Sequence, residues 1–147
     1  MIFVISMMIL AGQPQAPWFG TWTLNLAKST ANRDPRYKRV TSKIEPWDDG
    51  LKVTYDMAGT RGGITHLEWT GKFDGKDYAV QGVDYVLTNA YGRLDDHSYQ
   101  IVIKVDGAVA ATARVVISPD GKTLTTVTTE KNAQGQSVDT TAVYERQ

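Results

Sequence analysis

His66 and Glu68 stand two residues apart in a stretch that alternates polar and apolar side chains, so both project from one side of an extended chain. An imidazole beside a carboxylate can pass a proton or supply two ligands to a metal. Metal sites want three or four ligands, and no third stands at a matching spacing. Asp95-Asp96-His97 repeats these residue types in a stretch whose plainer reading is a turn. Tyrosine offers a different chemistry: a phenol facing a dry interior can donate a hydrogen bond to a developing oxyanion, and Tyr55, Tyr85 and Tyr99 are candidates. There is no Gly-x-Ser-x-Gly elbow, and Gly59 to Gly63 reads as a hairpin loop because no helix follows it. Cysteine is absent, which removes thiolate nucleophiles, disulfides and thiolate metal sites. No cofactor, no metal and no specific catalytic residue is expected on these grounds.

The elements that carry these side chains follow from alternation and turn chemistry. Asp-Gly occurs at 49–50, 74–75, 106–107 and 120–121, each time between alternating runs, which predicts hairpins. Strands are expected over 18–26, 37–45, 51–58, 64–73, 78–82, 84–91, 98–105, 108–117, 123–131 and 137–145. The longer connection at 27–36 is expected to hold one helical turn over Ser29 to Asn32. Along the strands, Leu51, Val53, Tyr55 and Met57 share one side, as do Leu67, Trp69, Gly71 and Phe73. The same holds for Tyr99, Ile101, Ile103 and Val105, and for Val138, Thr140, Ala142 and Tyr144. One apolar and one polar face per strand is what an antiparallel sheet needs when one side packs inward. Nearest-neighbour hairpins then predict an all-β fold, an antiparallel up-and-down barrel of about 8–10 strands, whose closure removes exposed edges. His66 and Glu68 fall on its outer side.

The expected inward set is uneven. Ala111, Ala113, Thr126, Thr128, Thr140 and Ala142 are small, while Tyr55, Met57, Trp69, Phe73 and Tyr99 are large. Such a split can leave a cavity for one small ligand, or the two sets can interdigitate and fill it. The leading expectation is a small apolar or aromatic molecule held against Tyr55, Met57, Trp69, Phe73, Tyr99, Ala111 and Ala113. Hydroxyls of Thr126, Thr128 and Tyr144 would orient it. Two other readings stay open: an isomerase, cyclase or lyase that shapes an apolar pocket around an interior tyrosine, and an envelope module that recognises or inhibits another protein through its loops.

Length and charge narrow the class. The chain has 147 residues, enough for one domain. Sixteen basic residues balance sixteen acidic ones, so no field steers the protein to nucleic acid. The cluster Arg33, Arg36, Lys38, Arg39 and Lys43 is interrupted by Asp34 and reads as a solvated loop. Residues 1–16 differ in kind: an apolar run from Ile2 to Ala11 precedes a small and polar exit, the pattern of a signal peptide, although no basic residue precedes the run. That run is too short to span a bilayer. A secreted or periplasmic monomer over 17–147, without stable membrane insertion, is expected.

Gly20-Thr21-Trp22 resembles the Gly-x-Trp that opens the first strand of lipocalins and the wider calycin group, and fatty-acid-binding proteins similarly begin with Gly-Thr-Trp. The resemblance implies that Trp22 closes the base of the barrel against a basic side chain near the last strand. Arg146 is the matching position, with Arg114 in reserve. Trp18 would then cap the start of the first strand, and a ligand would lie at the opposite end, nearer Trp69 and Tyr99. Phe19 to Ser29 and Ala142 to Glu145 are also similar to small exported bacterial lipocalin-like proteins, a group without a settled function. The chain departs from classical lipocalins in lacking cysteine, and Val83-Asp84-Tyr85 is only an early, partial echo of their Thr-Asp-Tyr. The 27–36 connection is too short for the two-helix lid of fatty-acid-binding proteins. These likenesses bear on fold and export, not on a ligand. Mass spectrometry of the native exported product is expected to find a start near Pro17; an intact Met1 would overturn the export reading.

Overall fold

A computed structural model describes residues 15–30 and 37–147. Nearly all of the expected leader lies outside the described residues, as do Arg33, Asp34 and Arg36 of the basic cluster. Ten strands follow in chain order: β1 (Gly20–Leu24), β2 (Tyr37–Trp47), β3 (Gly50–Gly59), β4 (Ile64–Gly71), β5 (Tyr78–Gln81), β6 (Leu87–Asp95), β7 (Ser98–Val105), β8 (Ala108–Ile117), β9 (Thr123–Lys131) and β10 (Ser137–Arg146). Each is antiparallel to its chain neighbour, and β1 pairs with both β2 and β10, so the sheet closes into a barrel. The hairpins use the expected turn chemistry: Asp106 and Gly107 have φ of 50° and 82°, the paired positive values whose twist matches the flanking strands. The ladder is thinnest at β5, which registers two residue pairs with β4 and two with β6.

Two local expectations are corrected. The sixth strand starts at Leu87 rather than 84 and runs on to Asp95. Val83 to Val86 instead form an irregular loop that docks on the next hairpin, where the Asp106 N–H donates to the Val86 carbonyl at 2.8 Å. A bulge between Arg93 and Asp95 lets the strand continue through a stretch that reads as a turn. A 3₁₀ turn stands at Leu26–Lys28, where Asn25 caps it, its Oδ1 accepting the Lys28 N–H at 3.1 Å; Ser29 is extended, and Ala31 and Asn32 of the expected turn lie outside the described residues. Ser29 instead fastens the connection to β10, its Oγ accepting the Val143 N–H at 2.9 Å and donating to the Asn25 carbonyl at 2.7 Å.

One end of the barrel is plugged. Trp22 is wholly buried, and its Nε1 donates to the Trp18 carbonyl at 3.0 Å. The Arg146 guanidinium lies 4.3 Å from the Trp22 ring centroid and donates to three carbonyls: Gly121 at 2.8 Å, Phe19 at 2.8 Å and Pro17 at 2.6 Å. Gly20 is needed beneath it, since its φ is 149° and a Cβ there would come within 2.2 Å of Arg146 Nη1. Arg114, the reserve partner, faces the outside of the barrel, opposite Gln100 and Val127. Trp18 does more than cap a strand start. It is buried, with ring centroids 5.4 Å from both Phe73 and Tyr99, and the Arg93 guanidinium covers it at 5.5 Å. The chain turns at Pro17-Trp18, and this carries the indole inside. Trp22→Ala is expected to lower the unfolding free energy by about 3–5 kcal/mol, read as a lowered urea midpoint at unchanged slope; an unaltered midpoint would contradict the plug.

Candidate functional site

Registry shows which side chains share the interior. Tyr55 on β3 stands opposite Ser42 and Leu67, and Tyr144 on β10 opposite Leu24 and Leu124. Thr126 registers with Val115 and Ala142, and Thr128 with Ala113 and Thr140. Tyr99 stands between Arg93 and Val115, and Tyr91 opposite Ile101. On β1, β3, β8 and β9 these inward rows begin at the buried Trp22, Leu51, Ile117 and Leu124, and on β6 and β7 they include the buried Tyr91, Tyr99 and Ile101.

The interior has two levels. The lower one is a packed aromatic floor. Trp69 stacks on Tyr91 with centroids 4.0 Å apart and planes at 15°, and Tyr91 stacks on Tyr99 at 5.3 Å and 21°. Phe73 tilts against Tyr99 at 5.5 Å. The Trp69 Nε1 is satisfied by the Tyr78 and Asn89 carbonyls at 3.1 and 3.2 Å. Trp69 and Tyr99 are expected at the end opposite Trp22; through Trp18 they, together with Phe73, are part of the Trp22 end instead. The cause is packing: the indole of Trp18, brought in from before β1, needs apolar partners, and these rings surround it.

Above the floor the wall changes character. Tyr55, Met57, Ile103, Thr126, Thr128, Thr140, Ala142 and Tyr144 face inward but remain only partly buried, while Ala111 and Ala113 are buried. Burial raises the Tyr55 phenol above its ordinary pKa, and the Ser42 hydroxyl beside it offsets part of the rise. Burial raises Tyr144 as well. Tyr55 and Tyr144 are thus desolvated and still keep accessible surface. Tyr55, Met57, Thr126, Thr128, Ala142 and Tyr144 are brought together at this level.

The phenols also act on one another. Tyr91 and Tyr99 are pushed well up, first by burial and then by neighbouring phenols, Tyr55 being a neighbour of both; Tyr144 likewise feels Tyr55. No lysine or arginine is among the groups acting on these four. They are therefore neutral hydrogen-bond donors at neutral pH and poor bases. Two participants escaped the sequence reading. Ser42 looks like an ordinary polar strand residue, and Tyr91 sits between Ala90 and Gly92 in a strand expected to end there. The alternation Asn89, Tyr91, Arg93 was the available signal.

The other candidate groups lie outside. His66 Nδ1 meets Asp56 at 2.6 Å and Nε2 meets Glu68 at 3.5 Å, and these carboxylates raise the imidazole pKa. Glu68 in turn meets Lys52 at 3.1 Å, so the cluster is an ion-paired surface patch across β3 and β4. Among the described residues no group of three could hold a metal. Asp95 Oδ1 accepts the His97 N–H at 2.8 Å, and Asp96 takes Arg93 Nη2 at 2.7 Å, which is turn chemistry. Tyr85 is half exposed in the loop before β6.

No family model and no curated protein sequence matches the chain. Among solved structures it is similar to the zebrafish ileal bile acid-binding protein complexed with cholic acid, at 12% identity and a TM-score of 0.56, covering 89% of this chain and 99% of that one. It is also similar to the siderocalin Ex-FABP, at 14% identity and a TM-score of 0.43, covering 89% of this chain and 71% of that one. The first of these likenesses is one of fold: both chains form the same kind of closed antiparallel barrel.

The buried phenols generate a pH dependence. Below about pH 10 they are neutral in both folded and unfolded chains; above it only the unfolded chain ionises them freely, so stability falls as pH rises past the unfolded value. Near-ultraviolet titration of the native protein is expected to show fewer phenolates than its seven tyrosines until a cooperative alkaline transition releases the rest. Smooth ionisation of all seven with the fold retained would contradict the buried cluster.

Proposed function

We propose that this barrel binds one small apolar or aromatic molecule in its lumen, above the aromatic floor. The observation that carries the reading is the wall of Tyr55, Met57, Thr126, Thr128, Ala142 and Tyr144, which is inside the barrel and still accessible. Small residues there leave volume, Met57 and the rings below supply apolar contact, and a few hydroxyls give orientation. The fold is one in which such a protein is known with cholic acid bound. The floor contributes rigidity: Trp69, Tyr91 and Tyr99 are already stacked, so a ligand would not have to order them. We further propose that the protein acts after export, on the strength of the apolar Ile2 to Ala11 run and its small, polar exit.

The test is titration with Nile red, an uncharged fluorescent probe, followed by its emission and by energy transfer from tryptophan. Saturable one-to-one binding is expected. Ala142→Phe, which adds a ring opposite Thr126, should weaken it by about ten-fold or more while leaving the circular dichroism of the barrel intact. Non-saturable binding, or a folded Ala142→Phe variant of unchanged affinity, would overturn the reading.

A further inference from the structure

Given a ligand in the lumen, the polar groups that would meet it are of one kind. Tyr55 on β3, Tyr144 on β10, Thr126 and Thr128 on β9 and Ser42 on β2 all present hydroxyls inward. Tyr91 and Tyr99 lie below, near enough to sense Tyr55. Ser42 stands beside the Tyr55 phenol, opposite it in the ladder. A ligand atom that accepts hydrogen bonds would meet donors of this layer.

The cations are elsewhere. Arg146 is spent on three carbonyls and the Trp22 face, and Arg93 on Trp18 and Asp96, both at the plugged end. Lys52 is turned outward against Glu68, and Lys104 against Asp77. At the mouth the exposed charges are mixed, with Glu130 at the end of the inward row Leu124, Thr126, Thr128 and Lys38, Arg39 and Lys131 at the ends of β2 and β9, so discrimination falls to the hydroxyl layer itself. A carboxylate brought to the hydroxyl layer would give up its hydration for neutral donors and no countercharge among the described residues, an exchange that loses more than it returns. A carbonyl or ester oxygen gives up far less and gains the same donors.

We propose that the lumen selects uncharged ligands bearing a carbonyl or ester oxygen on an aromatic or apolar body, that Tyr55 and Tyr144 receive this oxygen, and that the matching carboxylates are rejected. The proposal rests on the lumen being the ligand site. The register makes Tyr55 the central donor, since it points inward from β3 with the Ser42 hydroxyl directly opposite on β2.

Three pyrene probes of similar size separate the possibilities: methyl 1-pyrenebutyrate, 1-pyrenebutyrate and 1-butylpyrene, titrated at neutral pH by energy transfer from tryptophan. The ester is expected to bind about ten-fold or more tighter than the carboxylate. Tyr55→Phe combined with Tyr144→Phe should weaken the ester by about five-fold or more and leave butylpyrene within about two-fold. A carboxylate that binds as tightly as the ester overturns the selectivity, and this comparison needs only the unaltered protein. Butylpyrene and ester binding that both ignore the phenylalanine substitutions would overturn the donor role while sparing the lumen as a site. Failure of all three probes to bind would overturn the lumen reading itself, and this inference with it.

Discussion

The guanidinium of Arg146 is the tie on which the closed barrel depends. It lies over Trp22 and collects carbonyls from Pro17, Phe19 and Gly121, which belong to the segment before β1 and the turn before β9. A planar cation with five donors can satisfy several carbonyls at once and still present its face to an indole. Because it sits on the last strand and reaches ahead of the first, it adds to the three registered pairs of β1 with β10 and to the bonds of Asn25 and Ser29 to Val143 in holding the two ends of the described chain together. The same tie explains why Gly20 cannot carry a side chain.

Closure at that end sets the division of the interior. Once Trp18 is drawn in behind Trp22, it needs apolar partners, and Phe73, Tyr99, Tyr91 and Trp69 supply them in a continuous layer. The large inward residues are thus largely consumed at one level. What remains above is a wall of alanines, threonines, Met57, Tyr55 and Tyr144, several of them only partly buried. The make-up of this level follows from where the bulk has gone, and its polarity from hydroxyl-bearing β-formers being the residues left.

Much of this was legible in the chain. Alternation placed Tyr55, Met57, Thr126, Thr128, Ala142 and Tyr144 on inward faces, and the Asp-Gly turns located most hairpins within a residue or two. Period-two patterning and turn residues are local signals, and a barrel of hairpins is built almost wholly from local pairings. Where the local signal was weak the reading slipped. The sixth strand was displaced because Asp84-Tyr85-Val86 resembles a strand until its docking on the next hairpin is known, and because a bulge hides the strand's true end. The 3₁₀ turn at Leu26–Lys28 is hidden because its cap, Asn25, falls within the stretch that reads as the first strand, and Ser29 is claimed by β10.

The sequence by itself determined the faces, the turns and the class of fold, since each follows from residues within a few positions of one another. Height along the barrel axis comes from packing between distant strands. Whether Trp69 and Tyr99 line a ligand or floor a plug depends on the stagger between strands and on Trp18 entering from outside the sheet. No alternation pattern encodes that stagger. It is set by side chains far apart in sequence that must share one closed volume at native packing density.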